Sequence, residues 1–138
     1  LFALLTTRVE KTLASAHQIE ALKPLADVLQ IRWAKFLPAL KQVATVFEND
    51  AELALANAYL LLDAMGHAVV AWLWLDQALC AEGLLAQADL SESRRNLLKG
   101  KIVAAQYFIT WELPTKDSLL ERFEALDPLC RDVDTEVL

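Results

Sequence analysis

Apolar positions recur along this chain with the three- and four-residue spacing of amphipathic helices. The first stripe lies between Leu1 and about Leu22, and its members are Leu1, Leu4, Leu5, Val9, Leu13, Ala16 and Ile19. A second stripe runs from about Pro24 to Phe47, and a later one from about Glu92 to Glu112. This spacing predicts long helices that each bury one face.

One stretch between these stripes is apolar on almost every face. Residues Ala58–Leu75 read AYLLLDAMGHAVVAWLWL, and the run is interrupted only by Asp63, Gly66 and His67. A helix that is apolar all round is expected to be enclosed by other elements. The sequence therefore predicts a central helix, continuing to about Glu82 and stopped by Gly83, with the rest of the chain packed around it.

Capping and breaking residues set the predicted helix boundaries. Pro24 suits the first turn of the second helix, and Pro38 predicts a kink or a division into two shorter helices. Asn49 and Glu52 have the spacing of a capping box at the start of the central helix. Either Ser91 or Asp89 is expected to cap the helix that follows.

The end of the chain is predicted to be less regular. Pro114 should end the helix that begins near Glu92, and Thr115 should cap a short amphipathic helix that Pro128 terminates. The acidic residues 129–138 are expected to form a frayed tail. Because the chain begins at Leu1 in what resembles the middle of a helix, we also expect residues 1–138 to be one domain from a longer polypeptide.

Composition narrows the fold class and the compartment. The chain has 138 residues, of which 56% are hydrophobic, with only three glycines and four prolines. Together with the helical stripes, this predicts an all-α fold: an up-and-down, antiparallel four-helix bundle with a short extra C-terminal helix. Cys80 and Cys130 form no disulfide pattern, which favours a cytoplasmic protein.

Charge argues against two classes of partner. A net charge of −6 is unfavourable for binding nucleic acid, which requires clustered Lys and Arg. The central helix has roughly the length of a membrane span. However, Asp63 and His67 would lie near the bilayer centre, and no basic residues flank the segment. We therefore expect a buried helix and no membrane partner.

The loop between the central helix and the next long helix predicts which residues face each other. A connection of about eight residues favours antiparallel neighbours. Reflection about the loop centre places His67 opposite Phe108 and Ile109, Trp74 opposite about Ile102, and Asp63 near Leu113.

Asp63 and His67 are the two side chains best suited to take part in a reaction. They lie four residues apart and so share one helix face, where a carboxylate and an imidazole can handle a proton. The alternative, which we favour, is that both residues are structural. No serine or threonine in the pattern supplies the nucleophile that triad chemistry needs.

The remaining candidates are structural or interface residues. Gly66 and Gly100 lie inside predicted helices and cost about 1 kcal/mol each relative to Ala, which favours close helix packing. Trp72 and Trp74 point about 200° apart on a helix, so they must contact different surfaces. One set of aromatic residues is placed either to line a flat ligand or to form core, and core is the alternative that we favour: Trp72, Trp74, Tyr107, Phe108 and Trp111.

Motifs for bound cofactors are absent from the sequence. There is no Glu-x-x-His di-iron motif, no Cys-x-x-Cys-His, no His-Glu-x-x-His and no GxGxxG or phosphate-binding loop. His17, Met65 and His67 have no spacing specific for haem. The sequence therefore predicts no metal ligand, cofactor-binding residue or catalytic residue in this segment.

Two blocks of sequence resemble a known family. The blocks are GHAVVAWLWL at residues 66–75, preceded by Tyr59-Leu60 and followed by Gln77-Ala78, and KGKIVAAQYF at residues 99–108, followed by WELP at 111–114. They resemble the C-terminal domain appended to some bacterial acyl-CoA dehydrogenases. The resemblance covers about a third of the chain, and the first 48 residues match only in helical character.

The resemblance implies a parent enzyme that oxidises acyl-CoA thioesters at the α,β-carbons, with FAD and a glutamate base. In such enzymes that machinery lies in preceding domains, so this segment inherits no catalytic role and Glu112 is not the base. Its implied partners are the dehydrogenase core of the same chain and further copies in a homo-oligomer. One of Trp72 or Trp74 would dock on the core. Acyl-CoA would be bound by the parent enzyme and not by this segment alone. Two alternatives remain: a free-standing interaction or dimerisation module without cofactor, and a small-ligand enzyme or sensor using Asp63 and His67.

Overall fold

The computed structural model describes residues 2–134 and Glu136, and these residues are helical with no strand. The predicted all-α class is confirmed. Leu1, from which the first helix was expected to start, lies outside the described residues, as do Thr135, Val137 and Leu138 of the acidic tail.

Seven α-helices occur within the described residues, with a π-helix and a 3₁₀-helix between the fifth and the sixth. Their bounds are α1 Phe2–Ala16, α2 Lys23–Asn49, α3 Ala51–Ala56, α4 Ala58–Leu85, α5 Glu92–Tyr107, π-helix Phe108–Glu112, 3₁₀-helix Leu113–Lys116, α6 Asp117–Glu124 and α7 Leu129–Asp132.

The first helix is shorter than its apolar stripe predicts. It ends at Ala16, and the chain then tightens through i→i+3 hydrogen bonds such as Gln18 N to Ser15 O at 3.2 Å. These turns bury Leu22 completely just before α2 begins. The apolar periodicity continues through the turns because Leu22 still belongs to the core, which explains why the stripe overestimates the helix.

The second helix is continuous across Pro38, so the predicted division into two helices is wrong. Pro38 and Ala34 both lie on the exposed side, where water can satisfy the Ala34 carbonyl that loses its amide partner. The capping residue of the next helix lies one position later in the chain than predicted. Asp50, not Asn49, caps α3 by accepting a hydrogen bond from the Leu53 amide at 2.8 Å.

The central helix starts after a break that the sequence does not predict. Asn57 interrupts the helix between α3 and α4, and its side-chain amide donates to the Asp127 carbonyl at 2.8 Å. Gly83 does not stop α4, which continues to Leu85. At the next start Ser91 provides the cap, since its Oγ accepts from the Arg94 amide at 3.3 Å.

The central helix is not enclosed on all sides, which corrects the main expectation from its composition. Its buried face consists largely of alanine, namely Leu61, Ala64, Ala68, Ala71, Leu75, Ala78 and Ala81. The opposite face is open: Tyr59 is 73% exposed and Leu62 is 66% exposed. Small side chains let α1, α2, α5 and α6 approach one side of α4 closely, and this arrangement leaves the larger apolar residues outside.

By length and apolar composition alone, α4 could also cross a membrane, and 28% of its most apolar window is buried. The core helix of a soluble protein meets the same criterion. The expectation that the chain has no membrane partner therefore stays a prediction.

The region around Pro114 remains helical rather than ending at the proline. Pro114 lies within the 3₁₀-helix, and Thr115 does not cap α6, because its hydroxyl donates back to the Glu112 carbonyl at 2.6 Å. A bidentate pair fixes α6 to α2: Arg32 donates to the two carboxylate oxygens of Asp117 at 2.9 and 2.7 Å.

The chain leaves α6 through Leu126, whose φ of 49° reverses the backbone before Pro128. Residues Leu129–Asp132 then form α7, within the segment expected to be a frayed tail. Arg131 ties this helix to the rest of the fold through an ion pair with Asp50 at the start of α3.

Candidate functional site

Asp63 and His67 form the pair that their spacing predicts. His67 Nδ1 lies 2.9 Å from the Asp63 backbone carbonyl and 3.0 Å from Asp63 Oδ1. Both partners are acceptors, so Nδ1 carries a proton. Lys116 Nζ donates to Asp63 Oδ2 at 3.2 Å, so one carboxylate joins α4 to the 3₁₀-helix.

The π-helix closes the other side of the imidazole. The Phe108 ring stacks on His67 with a centroid distance of 6.2 Å and an interplanar angle of 13°. This confirms the facing predicted by reflection about the loop. Ile109, predicted at the same level, is fully buried in the core.

A π-helix shapes this end of the site. Hydrogen bonds in a π-helix run between residues five apart, so such residues share one face, and π-helical turns occur frequently at functional sites. Tyr107 and Glu112 have this separation, and the Tyr107 hydroxyl donates to Glu112 Oε1 at 2.7 Å. The bond and the charge of the carboxylate raise the pKa of Tyr107 above its ordinary value.

Between α4 and the π-helix lies a shallow groove of about 350 Å³. It is lined by Leu62, Asp63, Gly66, His67, Val70 and Phe108. Its walls are mostly apolar, and the imidazole is 31% exposed at its side. The groove can receive an apolar group, and His67 at its side can form one hydrogen bond with a polar atom attached to that group.

The chemistry available to this site is limited. In the described residues, His67 has no hydrogen bond to a hydroxyl or thiol nucleophile. Within residues 2–134 and Glu136, no group of three His, Cys, Asp or Glu side chains could hold a metal ion. Asp63 and His67 can exchange a proton with a bound group, but the described residues supply no second reacting group beside them.

Trp72 and Trp74 contact different helices, as their angular separation requires. Trp72 Nε1 donates to Thr12 Oγ1 of α1 at 2.9 Å, and Thr12 in turn donates to Asp76 at 3.3 Å. Trp74 lies under Lys101 of α5, whose Nζ is 5.3 Å from the ring centroid. Both tryptophans are half-buried within this fold, and docking of one of them on a dehydrogenase core stays a prediction.

The two helical glycines do not have the close neighbours predicted for them. Gly66 and Gly100 are exposed, and within the described residues no atom lies within 4 Å of the position that a Cβ would take. Close packing inside this chain therefore does not explain them. Both lie on an open face that α4 and α5 share.

That open face is the largest feature that the sequence missed. We call it the seam face, and define it by the residues Tyr59, Leu62, Gly66, Val69, Val70 and Leu73 of α4, Leu97, Gly100, Ala104 and Tyr107 of α5, and Trp111 of the π-helix. Trp111 is 71% exposed and Leu97 is 58% exposed. An even distribution of apolar residues around α4 concealed it, because composition does not tell which side neighbours will cover.

The charged partners of the site were also missed. Lys116 and Arg32 carry no pattern that marks them as partners of Asp63 and Asp117, because each pair joins segments more than fifty residues apart. To place Lys116 near Asp63 from the sequence, the reflection about the loop would have to be continued beyond Leu113.

Comparison with known proteins gives one match. The family described as acetyl-CoA dehydrogenase C-terminal like matches residues 5–134, which include both signature blocks, the Asp63–His67 pair and the π-helix. No curated protein and no solved structure matches the chain. Because the match covers almost the whole sequence, this chain belongs to the acetyl-CoA dehydrogenase C-terminal like family.

Proposed function

We propose that this chain is a non-catalytic helical domain of an FAD-dependent acyl-CoA dehydrogenase. In this proposal it packs on the dehydrogenase core of the same polypeptide and contributes to contacts between subunits. Its scaffold would be an up-and-down bundle of the long helices α1, α2, α4 and α5. The parent enzyme would be cytoplasmic and act in fatty acid metabolism.

The family match over residues 5–134 is the observation that carries this proposal. Two features of the site support a role without chemistry. The Asp63 carboxylate is already shared by His67 and Lys116, and the groove beside them is shallow and largely apolar. The chain instead presents a broad exposed apolar face, of the kind that marks a protein interaction site.

The full-length native polypeptide provides the test. We expect purified protein to carry flavin, visible in its absorption spectrum, and to reduce that flavin when straight- or branched-chain acyl-CoA thioesters are added. Removal of residues 5–134 should leave bound flavin in place and lower the temperature at which the enzyme inactivates. A native polypeptide without flavin would contradict the proposal.

A free-standing dimerisation module is the second candidate, because the seam face alone would suffice for it. A native polypeptide that contains this domain and no dehydrogenase core would establish that alternative. A third reading, a sensor or enzyme using Asp63 and His67, requires a ligand in the 350 Å³ groove. Loss of ligand binding in His67→Ala without loss of stability would support it.

A further inference from the structure

We propose that the seam face binds the same face of a second copy of this chain about a twofold axis. This inference rests on the proposed function, since it assigns the subunit contact of that proposal to α4 and α5. It does not depend on whether the domain also packs on a dehydrogenase core.

The spacing of the seam-face residues is the first argument. On α5 and the π-helix the face is formed at alternating intervals of three and four by Leu97, Gly100, Ala104, Tyr107 and Trp111, of which Ala104 is half-buried and the others are exposed. On α4 the same alternation runs through Tyr59, Leu62, Gly66, Val69 and Leu73, of which Val69 is half-buried and also packs against the core. Apolar residues at this spacing form the contact line between packed helices. Here that line is directed away from the core.

The exposed area is the second argument. An aromatic side chain buries about 150–250 Å² when covered, so three exposed aromatic and several exposed aliphatic residues together offer on the order of 800 Å². Tyr59, Tyr107 and Trp111 are 73%, 56% and 71% exposed. This is about the area that one partner contributes to a standard interface.

The arrangement of large and small residues identifies the partner as a second copy. The pattern on α5 and the π-helix is nearly symmetric about Ala104: Leu97 and Trp111 lie seven residues to either side of it, and Gly100 and Tyr107 lie four before it and three after it. In an antiparallel pair of these helices centred there, Leu97 faces Trp111 of the other copy, and Gly100 comes within one residue of Tyr107 of the other copy. A small residue then meets a large one at Gly100 in both halves of the contact, as close packing requires, and Leu97 meets Trp111 as a pair of apolar side chains.

The same axis also fits α4. Within the chain His67 faces Phe108 and Trp74 faces Lys101, so Ala104 is level with residues 70 and 71. A twofold axis at that level pairs Val70 with its own counterpart and brings Leu73 to within about one residue of Gly66 in the other copy. Gly66 and Gly100 thus each come near a large side chain of the other copy, which accounts for the open space at both; Gly83, also in α4, has similar open space but lies off the seam face.

Cysteine cross-linking of the full-length polypeptide tests this directly. In a background with Cys80→Ser and Cys130→Ser, Ala104→Cys is expected to form a disulfide with its own counterpart, identified as a 104–104 linked peptide by mass spectrometry. Val70→Cys provides a second, exposed position at the same level and should also link to itself. Gln30→Cys, exposed on α2 and away from the seam face, is the control and should remain unlinked.

Two glycine variants distinguish an effect on the contact between the two copies from an effect on the fold of one copy. In the Ala104→Cys background, Gly100→Ala should reduce the yield of the 104–104 link severalfold, because the new methyl group occupies the space for Tyr107 of the other copy. Gly83→Ala adds the same methyl group to an exposed helical position off the seam face and should leave the yield unchanged.

The outcomes are distinct. Absence of self-linking at both position 104 and position 70 would overturn the proposal, as would a link from either position to the dehydrogenase core. Flotation of the protein with phosphatidylglycerol vesicles, abolished by Trp111→Glu, would assign the seam face to a lipid surface instead. Flavin content, read from the same samples, reports separately on the proposed function.

Discussion

At the residue scale, part of the site could be predicted because it depends on helical spacing alone. A separation of four residues places Asp63 beside His67, and reflection about the loop places Phe108 opposite the imidazole. The bond between Tyr107 and Glu112 could not be predicted, because it requires a π-helical turn. Lys116 was missed for a similar reason, since the expected end of the helix at Pro114 removed the following residues from consideration.

The hydrogen bond of Tyr107 gives a prediction about its ionisation. Because the Glu112 carboxylate accepts from the hydroxyl and opposes a second negative charge, the pKa of Tyr107 lies above its ordinary value of 10.0. With Tyr59→Phe, which removes the only other tyrosine in these 138 residues, ultraviolet difference titration of this tyrosinate should show ionisation above that value. Glu112→Gln should lower the midpoint.

The raised pKa of Tyr107 also fixes the direction in which the stability of the fold changes with pH. A raised pKa in the folded state stabilises the fold fully below the unfolded pKa of Tyr107, and the contribution disappears as the pH rises through the folded value. An unchanged midpoint in Glu112→Gln would show that the hydrogen bond does not form.

His67 is predicted to be a structural residue. His67→Ala loses the bond to Asp63 and the stack on Phe108, so we expect a loss of about 1–2 kcal/mol in local stability. Hydrogen exchange of the α4 peptides, followed by mass spectrometry in the full-length protein, measures it. His17→Ala is the control: His17, in the turn after α1 and away from α4, pairs with Asp27 at 2.9 Å. Equal effects of the two substitutions would contradict the structural role.

At the element scale, the sequence predicts which segments are helical better than how they end. The apolar stripes identify α1, α2, α4 and α5. Their ends depend on tertiary contacts: Asn57 breaks the helix where its amide reaches Asp127, and Asp50 rather than Asn49 caps α3. Gly83 was expected to stop α4, but a glycine ends a helix only where the backbone turns to positive φ, and no described glycine has it.

The exposed glycines yield a prediction for α4 and α5. Each lies in a helix, and in the described residues nothing within 4 Å obstructs a methyl group. Gly66→Ala and Gly100→Ala should therefore each stabilise their helix by about 0.5–1 kcal/mol, because alanine loses less backbone entropy. Slower hydrogen exchange of α4 and α5 amides, measured in protein diluted until a second copy no longer covers the seam face, would show it. Faster exchange in either variant under those conditions would contradict the prediction.

At the scale of the whole molecule, the all-α class was predictable and the exposed side of α4 was not. Composition shows how apolar a helix is, but only the packed structure shows that alanines face the core while Tyr59 and Leu62 face outward. The molecule thus combines a closely packed interior with an apolar exterior face. The family to which this chain belongs is named after a dehydrogenase. We attribute the role of this domain to the seam face and not to Asp63 and His67.

The most direct test of this account is the rate of flavin reduction by acyl-CoA in the full-length polypeptide carrying Asp63→Asn together with His67→Gln. General acid–base groups contribute about 10²- to 10⁴-fold to a reaction. If the domain has no part in the chemistry, the rate of flavin reduction at saturating acyl-CoA should stay within about threefold of the unmodified enzyme. A decrease of about 100-fold or more, with flavin still bound and the helices intact, would contradict the account.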